Sequence, residues 1–180
     1  YLTIDELRAL HRLQPGRHFG VVARQIALSL LTAFALYKIS NPWIWIPLGV
    51  LQGFQILGFI ILLHEHVHDA IFVGPHPRWM RFLGLLYAFP SAISASQFER
   101  WHLDHHNELG SSSDDPKRAY LTPKIVARWY KLLYLTPVLF VIYSIAAARE
   151  ARGYPVPIQR RIAWERTINI SLHLAVIALW

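Results

Sequence analysis

From Val21 to Ile39 the chain is apolar except near its two ends, where Arg24 and Lys38 can snorkel to a membrane interface. After the turn residues Ser40-Asn41-Pro42, the stretch from Trp43 to Leu63 continues for 21 residues without a charge. At about 1.5 Å per residue, that covers a hydrocarbon core of about 30 Å. Trp43 and Trp45 stand where interfacial anchors belong. The pattern predicts a hairpin of two spans, with the residues before Val21 and after Leu63 on the same side of the membrane.

The pattern changes on either side of this hairpin. Thr3 and Glu6 form a capping-box pair that opens a short surface or interfacial helix with Leu7, Leu10 and Leu13 on one side, ending before Pro15-Gly16. His11 and His18 read as ordinary polar residues of that region. Residues 81–97 are apolar but broken at Pro90-Ser91, with Ser94 and Ser96 in the second half. They are expected to dip in and return, or to lie in the interface, because non-helical backbone at depth requires cover from protein or a cavity. A simple crossing is the competing reading. Residues 131–148 form another apolar stretch, expected as an interfacial or re-entrant helix. A third true span is expected to begin near Ile168, beyond a Tyr154-Pro155-Val156-Pro157 loop, and to run towards Trp180 with His173 in a structural role.

Composition supports a membrane protein. Hydrophobic residues make up 54% and charged residues 16%, against a soluble norm of roughly 45–50% and 25%. The net charge of +7 is spread over loops and not gathered in one basic run, which argues against nucleic acid as a partner. Arg8, Arg12 and Arg17 precede the hairpin and many more basic residues follow it, so the positive-inside rule places both of its ends in the cytoplasm. Without cysteine, these residues can hold neither a disulfide nor a thiolate-ligated iron–sulfur centre. Redox chemistry here would draw its electrons from a separate partner. The start at Tyr1 and the stop at Trp180 inside an apolar run read as an excerpt, treated as one domain over residues 1–180.

The candidate chemistry lies in Leu63-His64-Glu65-His66-Val67-His68-Asp69 and Trp101-His102-Leu103-Asp104-His105-His106. On a helix, residues three or four apart share a face, so His64 and His68 can aim at one point, as can His102, His105 and His106. Imidazole is the commonest metal ligand and suits iron, zinc, copper or nickel better than calcium or magnesium. His66 is turned away from the first pair and reads as a residue outside the ligand set or at the surface. Glu65, Asp69 and Asp104 are candidates to support the ligands, since a carboxylate can orient an imidazole by accepting its free N–H. If the two clusters cooperate, residues 81–97 cannot be a single crossing.

These two boxes, HEHVH directly after a long apolar helix and HLDHH further on, resemble the HxxxH and HxxHH boxes of the membrane fatty acid desaturase family. Leu109-Gly110 and Asp114-Asp115-Pro116 are similar to the loop that follows the second box there. The resemblance implies an all-α integral membrane protein with a transmembrane hairpin, re-entrant or interfacial helices and a cytoplasm-facing histidine-rich site. It also implies two non-haem iron ions, dioxygen as co-substrate and a fatty acyl lipid or thioester as substrate. The electron donor would be external, of ferredoxin or cytochrome b5 type. Carried over by position, the iron ligands are His64, His68, His102, His105 and His106. The family's third box, another HxxHH, does not occur within these 180 residues.

Three other readings share these letters. A membrane lipid or carotenoid hydroxylase uses similar boxes. His64 to His68 also fits HExxH, the zinc-protease motif in which Glu65 would be the general base. A non-enzymatic metal-binding membrane protein is the third. Oxidation at an unactivated methylene excludes zinc as the working ion, because zinc has no redox chemistry.

Overall fold

The computed structural model describes residues 3–4, 12–121, 129, 132 and 138–179. Every regular element among them is helical. The elements are α1 (Pro15–Lys38), α2 (Pro42–Val67), α3 (Pro77–Ala88), a 3₁₀ turn (Phe89–Ser91), α4 (Ala95–Asn107), α5 (Pro116–Tyr120), α6 (Val138–Ala151) and α7 (Val156–Leu179). The expected N-terminal capping-box helix lies almost wholly outside the described residues, as do residues 131 and 133–137 of the expected 131–148 helix.

Among the described residues three helices, α1, α2 and α7, are long and apolar enough to cross a membrane. The hairpin is present and both of its helices are longer than expected, because Pro15 and Pro42 each supply a first-turn residue that needs no N–H partner. Asn41 caps α2 by accepting a hydrogen bond from the Trp43 N–H at 3.0 Å. The third span differs from expectation. Its helix begins at Val156, twelve residues before Ile168, and takes the second half of the Tyr154–Pro157 loop into its first turn. Pro157 is compatible with that position, since a proline in the first turn of a helix costs no hydrogen bond.

The chain separates into two compact units, residues 1–92 with 171–180, and residues 93–170. In the first, α1 and α2 pair through polar groups as well as apolar ones. Gln55 Nε2 donates to Thr32 Oγ1 at 2.9 Å, and Gln25 Nε2 donates to the Gln55 carbonyl at 2.6 Å. In lipid such bonds average about 0.6 kcal/mol each. Gly58 makes room for the second one, because a Cβ there would lie 2.6 Å from Gln25 Nε2. In the lower half of α2, Phe59, Leu62, Leu63 and Val67 are buried, as are Ile71, Leu83 and Tyr87 in the same unit. Leu30, Leu31, Phe34, Ile46, Phe54 and Ile61 stay exposed, a surface that water would not tolerate but lipid covers.

Residues 81–97 form no continuous helix. Helix α3 ends in the 3₁₀ turn at Phe89–Ser91, and Ala92 takes a left-handed conformation with φ of 53°. Ser94 then caps α4. A single continuous helix over this segment therefore does not form.

In the second unit, Trp101 of α4 packs on Ala146 and Ala147 of α6 and stacks on Tyr143 with ring centroids 5.1 Å apart. The small alanines let α6 approach the indole. This contact orients the α4 face that carries the second histidine group.

Candidate metal-binding histidines

The first histidine group lies on the last turn of α2. That helix closes with His68 as C-cap and Asp69 beyond it at φ 52°. The Asp69 N–H donates to the His66 carbonyl and the Ala70 N–H to the Glu65 carbonyl, both at 3.1 Å, the paired bonds of a Schellman ending. Asp69 thus serves the turn, and its exposed side chain has no hydrogen-bond partner among the described residues. His64 and His68 are exposed on one face with ring centroids 4.6 Å apart.

Between them, Glu65 and His66 are already engaged. Glu65 Oε2 accepts a hydrogen bond from His18 Nδ1 at 2.9 Å. His18 Nε2 shares a second one, of 2.8 Å, with the hydroxyl of fully buried Tyr87. Burial, and then the nearby Glu65 charge, push the Tyr87 hydroxyl's pKa up, so it stays protonated. His18, expected to be an ordinary polar residue, is a buried link between α1, α2 and α3. No sequence signal marks it, since its partners are 47 and 69 residues away. His66 is turned away from the pair as expected, but it is buried and not at the surface, donating Nε2–H to the Met80 carbonyl at 2.5 Å. His173 packs its ring against Phe89, with centroids 4.7 Å apart.

The second group lies on the last two turns of α4. His102 is buried, stacks on Phe98 at 5.5 Å and faces His106 with ring centroids 4.5 Å apart. Lys117 Nζ approaches His102 Nδ1 at 3.3 Å; burial lowers the Lys117 pKa, and Asp115 opposes that shift. His105 stands one residue round the helix, 6.4 Å from the His102 ring and 5.6 Å from that of His106. Its Nδ1–H donates to Asp115 Oδ1 at 2.7 Å.

Asp115 is 3% exposed and also accepts from the backbone N–H groups of Lys117 and Arg118, which makes it the N-cap of α5. Burial alone would raise its pKa, yet the hydrogen bonds from His105 and these amides outweigh that and hold it below the usual carboxylate value. Asp104 has a different role, pairing on the surface with Arg100 at 3.1 Å. The carboxylate that orients a box histidine is thus Asp115. The signal for it was the Asp-Pro step, which reads as a helix start.

Each unit thus presents one pair of imidazoles that could contribute to holding a metal ion, His64 with His68 on α2 and His102 with His106 on α4. Within each pair, a ring nitrogen of one histidine lies within 4.8 Å of a ring nitrogen of the other. The donors are all imidazoles, a set that suits iron, zinc, copper or nickel. Asp115 holds His105 in the tautomer that leaves Nε2 free to act as a ligand.

Comparison with known proteins agrees with the boxes. The human sphingolipid delta(4)-desaturase DES1 is 27% identical over 113 residues, covering 61% of this chain and 34% of that protein. The human sphingolipid delta(4)-desaturase/C4-monooxygenase DES2 is 23% identical over 181 residues, covering 97% of this chain and 53% of that protein. The DES2 of Bos taurus is 21% identical over the same shares. This chain therefore spans a third to a half of the length of these curated relatives. No solved structure matches it. The family model described as fatty acid desaturase covers residues 40–180, both histidine groups included, and the chain belongs to that family.

Proposed function

We propose that the protein is an oxidoreductase that desaturates a fatty acyl chain of a membrane lipid, using dioxygen at a histidine-ligated di-iron centre. The observation that carries this reading is the pairing of imidazoles at the ends of α2 and α4 in a chain that matches the desaturase family. His64, His68, His102, His105 and His106 would hold the metal, with further ligands from elsewhere in the protein. Bound iron would supply the dioxygen-activating redox chemistry that no side-chain acid or base can perform on an unactivated methylene.

The protein's own residues have three tasks. The α2 ending, fixed by the Asp69 turn, presents His64 and His68 on one face. Asp115 orients His105 and holds its Nδ1 proton. His18 keeps Glu65 hydrogen-bonded, so that carboxylate is not free to act as the general base of an HExxH protease. The histidines face the cytoplasm on the charge rule, where an external donor of ferredoxin or cytochrome b5 type would deliver electrons.

The names of the relatives point to a sphingolipid-type long chain as substrate. One relative that aligns over 97% of this chain carries both desaturase and monooxygenase activities in its name. Hydroxylation is accordingly the second reading, and substrate positioning would decide between the two products. The test is expression of the full-length protein beside a His105→Ala variant, with iron content and lipid profiles measured. Matching profiles at equal accumulation would overturn the assignment.

A further inference from the structure

We infer that Glu165 of α7 is a positioning residue that fixes the helix carrying the second histidine group. Glu165 is 3% exposed, and a buried carboxylate is costly unless its lone pairs are satisfied. Here they are. Oε2 accepts from Ser94 Oγ at 2.6 Å and from the Ser96 N–H at 3.0 Å. Oε1 accepts from Ser96 Oγ at 2.6 Å and from Arg161 Nε at 3.2 Å.

Three of these four donors belong to the start of α4. Ser94 is the N-cap of that helix, its Oγ accepting from the Gln97 N–H at 3.1 Å. The Ser96 N–H is one of the first-turn donors that a helix leaves without an internal partner. A carboxylate at this end also meets the positive end of the helix dipole. Neighbouring residues of α7 extend the grip. Asn169 Nδ2 donates to the Ile93 carbonyl at 2.6 Å, and Arg166 donates to Gln97 Oε1. Residues 165, 166 and 169 thus hold residues 93–97 from one face of α7.

The consequence reaches the histidines through geometry. His102 lies about 9 Å along the axis from Ser96, so a tilt of about 5° at the first turn moves it by about 0.8 Å. Metal ligands tolerate about 0.5 Å. A helix held at its first turn by this many directional bonds keeps its tilt and its rotation.

The test uses the full-length protein as wild type, Glu165→Ala, Glu165→Gln and Ile162→Ala. The last removes a buried apolar side chain from the same helix and reports plain destabilisation. Amide exchange over residues 95–98 is expected to rise about tenfold in Glu165→Ala and less in Glu165→Gln, while Ile162→Ala leaves it unchanged. Cobalt(II) added to the purified protein is expected to show shifted absorption bands in Glu165→Ala alone. Local exchange or cobalt spectra in Glu165→Ala that match those of Ile162→Ala overturn the inference. The cobalt arm rests on the proposed metal centre. If wild type takes up no cobalt, that proposal fails, and exchange alone decides whether Glu165 holds the helix.

Discussion

His105 donates its Nδ1–H to Oδ1 of Asp115 across 2.7 Å, and the same carboxylate caps the helix that follows. One buried group thereby orients a box histidine and starts α5. Asp115→Ala is expected to lower metal affinity 10- to 100-fold, the usual effect of losing a partner behind a ligand, and to cost about 1 kcal/mol from the cap. Asp115→Asn keeps an acceptor for both and is expected to lose less. Titration with iron or cobalt alongside thermal unfolding reads the two effects separately. Unchanged affinity in Asp115→Ala would remove Asp115 from the site.

Glu65 separates the oxidoreductase from the protease reading. With its carboxylate hydrogen-bonded to His18, Glu65→Gln is expected to keep the bound metal and most of the lipid product. A zinc protease would lose its chemistry with that change. Replacing His18 by Phe strips partners from Glu65 and Tyr87 together, and is expected to cost about 1–3 kcal/mol. Loss of product with intact metal in Glu65→Gln would count against the proposed function.

His66 and His64 are two residues apart and are expected to behave oppositely. His66→Ala removes a buried ring and the imidazole hydrogen bond it gives the Met80 carbonyl and is expected to cost about 1–3 kcal/mol of stability while metal stoichiometry holds. His64→Ala is expected to lose metal with little change in stability, since its ring is exposed. Metal analysis of both variants at matched folded fractions makes the comparison.

Glu150 supplies the pH dependence. Burial, and then the charge of Asp104, raise its pKa against the opposing pull of Arg100. A carboxyl raised above its unfolded value of about 4.5 binds more protons in the folded state. Its contribution is full below that pH and is lost as pH rises through the folded pKa. Glu150→Gln is expected to flatten that part of the stability curve and to unfold at a higher temperature at neutral pH. Thermal scans from pH 4 to pH 8 would show it, and parallel curves for the two proteins would contradict it.

Residue spacing carried the main features of this protein. Long apolar runs can be satisfied in lipid by helices, so the hairpin was legible from Val21–Ile39 and Trp43–Leu63. Helical periodicity alone placed His64 beside His68 and His102 beside His106, because neighbours at i+4 meet whatever the helix packs against. The break after Pro90 was legible too, since proline and the serines that follow it favour a fresh start over a continued helix. The sequence also put Pro157 into a loop, whereas the fold uses it in the first turn of α7.

Only the tertiary structure decided which polar residues serve the histidines. Asp104 is nearer in sequence to His105 than Asp115 is, yet it faces Arg100 while Asp115 reaches the ring from a separate helix start. His18 and Glu165 likewise find their partners 47 to 71 residues away. Periodicity reports which side chains share a helix face. It carries no information about what another helix brings to that face, and the partners of a buried polar group are set by that packing.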